Sequence, residues 1–238
     1  MKKPRYWIPT TEGPVEIIAI SEETPGLPSV LCLANTFQAL PLTRAYDEFV
    51  RAPTGIIEKL TGKNSFRTDI SAPISQGNSW HLGICAAHMC QSFDLEDSHP
   101  DHIWASGAIN PSLDILPVTH IAEKWGHSEK LINEARLSGE KIDVFLHPQN
   151  ADQLPDCDSD VARVHRVTTI QDVTKILKVI TPSAKNKPEL TPYLQAKGLV
   201  SLGMLIAIFA SILLIVPFGI IASWNDLEKQ GRERELGR

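Results

Sequence analysis

The chain has 238 residues, 42% of them hydrophobic and 21% charged, which is enough apolar material for one substantial core and too much for a disordered or fibrous protein. A net charge of −5, with no dense lysine or arginine stripe, argues against a nucleic-acid partner. Four cysteines, Cys32, Cys85, Cys90 and Cys157, lack disulfide-framework spacing and read as reduced, packed thiols.

In chain order, "YWIP", "PVEIIAI" and "SVLCLA" read as short strands separated by Gly13, Pro14, Pro25, Gly26 and Pro28, a β-rich start spanning residues 1–62 within the main globular unit. Helical stretches over 43–60 are interrupted by Pro53 and Gly55, and "FRTDI" alternates like a strand. The turn "QGNS" comes next. Leu82, Cys85, Ala86, Met89 and Phe93 recur at helical spacing, which predicts a helix with one face in the core, capped by Asn78. Ser79 would stand in its first turn, where main-chain N–H groups without intrahelical partners can bind developing negative charge.

"HIWASGAIN" and "SLDILPV" read as two strands, "THIAEKWGHSEKLINEARLSG" as one helix closing on Gly139, and "KIDVFLHPQNADQLP" as a strand entering a turn. "ARVHRVTTIQDVTKILKVI" supplies a last strand and helix. This order predicts an α/β fold, a mixed sheet with packed helices, over residues 63–181.

Residues 182–198, rich in proline and lysine, read as a linker. Residues 199–224 hold no charged side chain and are long enough to cross a bilayer as one helix, with Trp224 at the interface. Residues 225–238 read as a solvated charged tail. The first 26 residues contain no apolar run of signal-peptide type. The expectation is a single-pass membrane protein whose soluble domain lies on the cytoplasmic side.

The succession "QGNSWHLGI", "ASGAI", "LPVTHIAEK", "VFLHPQNADQLP" and "VHRVTTIQDVTKIL" resembles the proteolytic domain of Lon-type serine proteases. In that family a Gly-x-Ser turn opens a helix, a Thr-Gly-Glu strand follows, a Leu-Pro-Ile-Gly-Gly segment leads to a lysine, and a Pro-x-x-Asn turn precedes the closing helix. The resemblance covers roughly residues 66–180 and rests on the order and spacing of several short motifs. It implies Ser79 as nucleophile, Gly77 as turn glycine, and Ser106 with Gly107 in place of Thr-Gly. Counted without gaps from Gly107, Lys124 falls on the catalytic lysine.

A serine hydroxyl is a weak nucleophile, and a lysine takes its proton only when neutral, which requires burial or a neighbouring cation. Ile121, Trp125 and the helix after Ser79 are the apolar wall expected to bury Lys124, with Ser106 orienting the amine. Main-chain N–H groups around Gly77, Asn78 and Ser79 are the oxyanion-hole candidates, and Trp80 and His81 are expected to narrow the substrate cleft.

The sequence also departs from the pattern. Ala108 replaces the acidic residue, Thr119 and His120 replace Gly-Gly, and Asn78 and Trp80 flank the serine. Extra length after Lys124 makes Lys130, in "GHSEKLINEARLSG", a competing base. No G-x-x-x-x-G-K-[ST] loop occurs, since "TGKNS" lacks the first glycine. The expected substrate is therefore flexible or already unfolded polypeptide, with a homo-oligomer and a separate unfoldase or regulatory partner as further partners implied by the family.

Two other readings stand beside the peptidase. His81, Cys85 and His88 share one helix stripe, with His99 and His102 in or after an acidic loop; core packing is the ordinary role of such a stripe, and no metal or other cofactor is expected. The substitutions around the serine and lysine also fit a catalytically inactive, Lon-like binding or regulatory module tethered to the membrane.

Overall fold

The computed structural model describes residues 3–74, 77–95, 100–154 and 160–180; the linker, span and tail read above lie outside them, as do His99 and Cys157. In chain order the elements are β1 (Arg5–Thr10), β2 (Gly13–Glu22), β3 (Val30–Leu33), α1 (Thr43–Val50), α2 (Ile56–Thr61), β4 (Phe66–Ile70), α3 (His81–Ser92) and β5 (Asp94–Leu95). There follow β6 (His102–Ser106), β7 (Ala108–Ile109), β8 (Ile115–Leu116), α4 (Ile121–Gly126), α5 (Glu129–Ser138), β9 (Ile142–Leu146), α6 (Pro148–Ala151), β10 (Ala162–Arg166), α7 (Ile170–Ile176) and β11 (Val179–Ile180).

Seven strands form one sheet in the order β10-β9-β6-β1-β2-β4-β3. β10, β9, β6 and β1 are parallel, β2 is antiparallel to both neighbours, and β3 is parallel to β4. The fold is thus α/β, a mixed sheet with packed helices. Strands from residues 1–62 and from the later part of the chain share this sheet. β6 and β9 are buried along their whole length, as parallel strands covered on both faces must be.

Side-chain alternation divides the core in two. Ile103, Ala105 and Phe145 pack with α1, α2, α3 and α7 on one face of the sheet. Trp104, Val144 and Leu146 pack with α4 and α5 on the other. Ser106 lies two residues beyond Trp104 and opposite Leu146, so its side chain belongs to the α4 face.

Several elements differ from the sequence reading, each for a local reason. The single helix read over 119–139 is two helices, because the Ser128 hydroxyl turns back to the Lys124 carbonyl (2.8 Å) and ends α4. "HIWASGAIN" divides at Gly107 into β6 and β7. "SLDILPV" keeps only two residues of strand, since Leu113 takes a left-handed φ of +70° and Pro117 carries no N–H. The sequence gives α3 one buried face; instead, residues 82 to 89 are buried without a break. Small residues permit this: a Cβ on Gly83 would meet Ile8 Cγ1 at 3.0 Å and the Ala105 carbonyl oxygen at 3.3 Å.

Candidate functional site

The serine turn is organised from beneath. Gly77 holds a φ of +83°, which favours glycine, and its carbonyl accepts the Trp80 indole N–H at 2.7 Å. The indole is 1% exposed and meets the Phe49 ring edge-on at 5.2 Å, so Trp80 belongs to the core and offers no wall to a cleft. Asn78 accepts the His81 N–H through its carbonyl, at 3.1 Å, and its side chain makes no cap. The helix begins only at His81. Ser79 therefore stands in the turn before α3 rather than in its first turn, with the residue half-buried. Among the described residues, the Ser79 hydroxyl and the main-chain N–H groups of Ser79 and Trp80 have no hydrogen-bond partner.

One residue clasps this turn to the end of β6. The Gly107 N–H donates to the Ser79 carbonyl at 3.1 Å, and the Gly107 carbonyl accepts the Leu82 N–H at 3.0 Å. A Cβ at Gly107 would lie 3.0 Å from Ile115 Cγ2 and 3.2 Å from Leu82 Cδ2, so only glycine fits without displacement. His81 adds a third tie, its Nδ1 accepting the Ile109 N–H at 3.2 Å. Burial lowers the His81 pKa to about 4, which keeps the ring neutral and able to accept.

Immediately before Gly107, Ser106 is 0% exposed, and its Oγ has no partner among the described residues. A buried hydroxyl left unpaired costs about 1–3 kcal/mol, so its retention needs an explanation. Lys124 of α4 is 6% exposed, and its amine makes no ion pair or hydrogen bond among the described residues. Burial pushes its pKa below the ordinary 10.5, while the adjacent Glu123 acts the other way. Ile121 and Trp125 of the expected wall are buried on α4, whereas α3, read as part of the same wall, packs on the other face of the sheet.

The approach to α4 is fixed by a residue whose role the sequence reading missed. Asn150, fully buried at the turn after β9, accepts the Val118 N–H at 2.8 Å and donates to the Val118 carbonyl at 2.7 Å. Its only signal in the sequence was the Pro148-Gln149-Asn150 turn, one residue shorter than the Pro-x-x-Asn of the family pattern. The competing base is set quite differently: the Lys130 side chain is 89% exposed on α5, 3.9 Å from Glu134.

Members of the histidine and cysteine stripe have separate partners. His88 Nε2 shares a 3.0 Å hydrogen bond with the Tyr46 hydroxyl, which shares another with Thr68, and burial lowers the His88 pKa to about 3. Burial likewise pushes the Cys85 thiol up. His102 accepts the Trp7 indole N–H at Nδ1, 3.1 Å, and faces Glu140 at Nε2, 2.9 Å. Among the described residues no three His, Cys, Asp or Glu side chains converge to hold a metal.

A surface depression of 470 Å³ is lined by Arg44, Asp47, Glu48, Arg51, Glu58 and Asn64 and includes none of the sequence-predicted site residues. Its arginines are paired, Arg44 with Glu48 at 3.1 Å and Arg51 with Asp47 at 2.7 Å. Among the described residues no helix is long and apolar enough to cross a membrane. Comparison of the sequence with protein-family models gives no match, and comparison with curated proteins gives none either.

Proposed function

We propose that this chain is a serine peptidase of Lon type, with Ser79 as nucleophile and Lys124 as general base. The observation that carries the reading is two groups without hydrogen-bond partners among the described residues, the fully buried Ser106 hydroxyl and the amine of the largely buried Lys124, with Ser106 one residue from the Gly107 clasp on the serine turn. A neutral lysine is the form that accepts a proton, and burial at Lys124 favours that form.

In the proposed reaction Ser79 Oγ attacks a peptide carbonyl carbon and its proton passes to Lys124 Nζ. The N–H groups of Ser79 and Trp80, without partners among the described residues, are suited to the resulting oxyanion. Lys124 returns the proton to the leaving amine as the C–N bond breaks, leaving an acyl ester on Ser79. Water, deprotonated by Lys124, then hydrolyses the ester and restores the serine. Ser106 orients the lysine amine between these steps. The substrate class is flexible or unfolded polypeptide, and no cofactor takes part.

Residues 199–224 tether this activity to a bilayer, on the strength of their length and uncharged composition. The second reading, an inactive Lon-like module on the same tether, is favoured by Ala108 standing where the family pattern has an acidic residue.

The test is cleavage of a reduced, alkylated polypeptide by the full chain in detergent. Wild type and Lys130→Ala cleave, whereas Ser79→Ala and Lys124→Ala, folded by circular dichroism, do not. Equal cleavage by wild type and Ser79→Ala overturns the assignment, and no cleavage by any form supports the module.

A further inference from the structure

The second residue past the end of α4 has given up the role its position offers. Ser128 occupies the N-cap of α5, where a serine side chain ordinarily accepts a main-chain N–H of the first helical turn, worth about 1 kcal/mol. No such cap forms. Its hydroxyl donates instead to the Lys124 carbonyl at 2.8 Å and accepts the Trp104 indole N–H at 2.9 Å. All three residues are buried, Ser128 and Trp104 fully.

This short chain links the site's two halves. Trp104 and Ser106 are i and i+2 on β6, on the same face and about 7 Å apart along the strand. Lys124 lies in the last turn of α4, which packs on that face. The Trp104 ring is further held edge-on against Trp125 at 5.5 Å, the residue next to Lys124. Because the hydroxyl donates in one direction and accepts in the other, its two bonds reinforce each other.

We infer that Ser128 is a positioning residue for Lys124: it ties the lysine's main chain to the strand bearing Ser106 and so fixes where the lysine side chain leaves α4. The role rests on the peptidase reading for its purpose, but the geometric claim can be read without activity. Without the tie, the last turn of α4 loosens and the lysine side chain becomes more exposed to water.

The experiment uses the full chain in detergent, with lysines ¹³C-methylated reductively and the Lys124 resonance assigned by its loss in Lys124→Arg. In wild type this resonance titrates below 10.5, as its burial requires. In Ser128→Ala it moves up toward 10.5, and in Ser128→Thr, which keeps the hydroxyl, it stays near wild type. Ser128→Cys, close in shape with a weak donor, falls between and serves as the second deletion if Ser128→Ala does not fold. A Lys124 titration unchanged in both deletions overturns the inference, because loss of a purely structural bond lowers stability without moving that resonance. Failure of the peptidase reading looks different: Lys124 still responds to Ser128, while wild type cleaves nothing.

Discussion

Replacing Lys124 with methionine is expected to stabilise the protein while abolishing cleavage. The lysine is 6% exposed and its amine has no hydrogen-bond or ionic partner among the described residues. Methionine keeps an unbranched stem of similar volume against Ile121 and Trp125, so the packing change is small. What the substitution removes is a partly desolvated charge without a partner among the described residues, a liability that solvent at the amine limits to about 1 kcal/mol or less at neutral pH. In a folded unit of this size each kcal/mol raises Tm by about 2–4 °C.

The pH dependence gives the sign independently. The folded chain holds Lys124 below 10.5, so across the window from its folded pKa up to 10.5 the unfolded chain binds more protons, and wild-type stability rises with pH. Methionine titrates nothing. The variant's advantage is therefore complete below the folded pKa and closes as pH rises toward 10.5. Thermal melts of both proteins at intervals between neutral pH and pH 10 measure this. A variant no more stable than wild type, with a gap that stays constant with pH, would refute the desolvation reasoning whatever the activity.

Gly107→Ala places a methyl group 3.0 Å from Ile115 and 3.2 Å from Leu82 and strains the clasp on the serine turn. The expected cost is about 1–3 kcal/mol in urea unfolding, with cleavage falling further than the stability loss accounts for. Deletion of residues 199–224 is expected to move the chain from the membrane to the supernatant on ultracentrifugation of lysed cells, with cleavage retained; continued sedimentation with washed membranes would remove the single-span proposal.

Much of the fold was legible because its signals are local. Gly13, Gly26 and Gly139 lie at turns or helix ends with φ values of +132°, +90° and +71°, and the apolar runs of β6 and β9 are those of strands covered on both faces. The alternation of strand and helix patterns was enough to give an α/β fold with mixed pairing. What the sequence did not disclose was set by distant partners. Asn78 has the chemistry of a cap, but the turn is built on Trp80 bonding back to Gly77 and packing on Phe49, thirty-one residues earlier. The break between α4 and α5 depends on Trp104 supplying a donor to Ser128 from another element. At the candidate site, Ser79 and Lys124 came from motif order, whereas the contrast between a buried Lys124 and an exposed Lys130 is a property of tertiary packing. Gly107 carried a readable signal, since glycine inside a strand pattern marks a close backbone approach.

The most direct test of the central claim is to treat the full chain with a fluorophosphonate or peptide boronate and locate the adduct by peptide mapping. The account predicts modification at Ser79, lost in Lys124→Ala and retained in Lys130→Ala. An adduct on another residue, or one on Ser79 that survives Lys124→Ala undiminished, would contradict it.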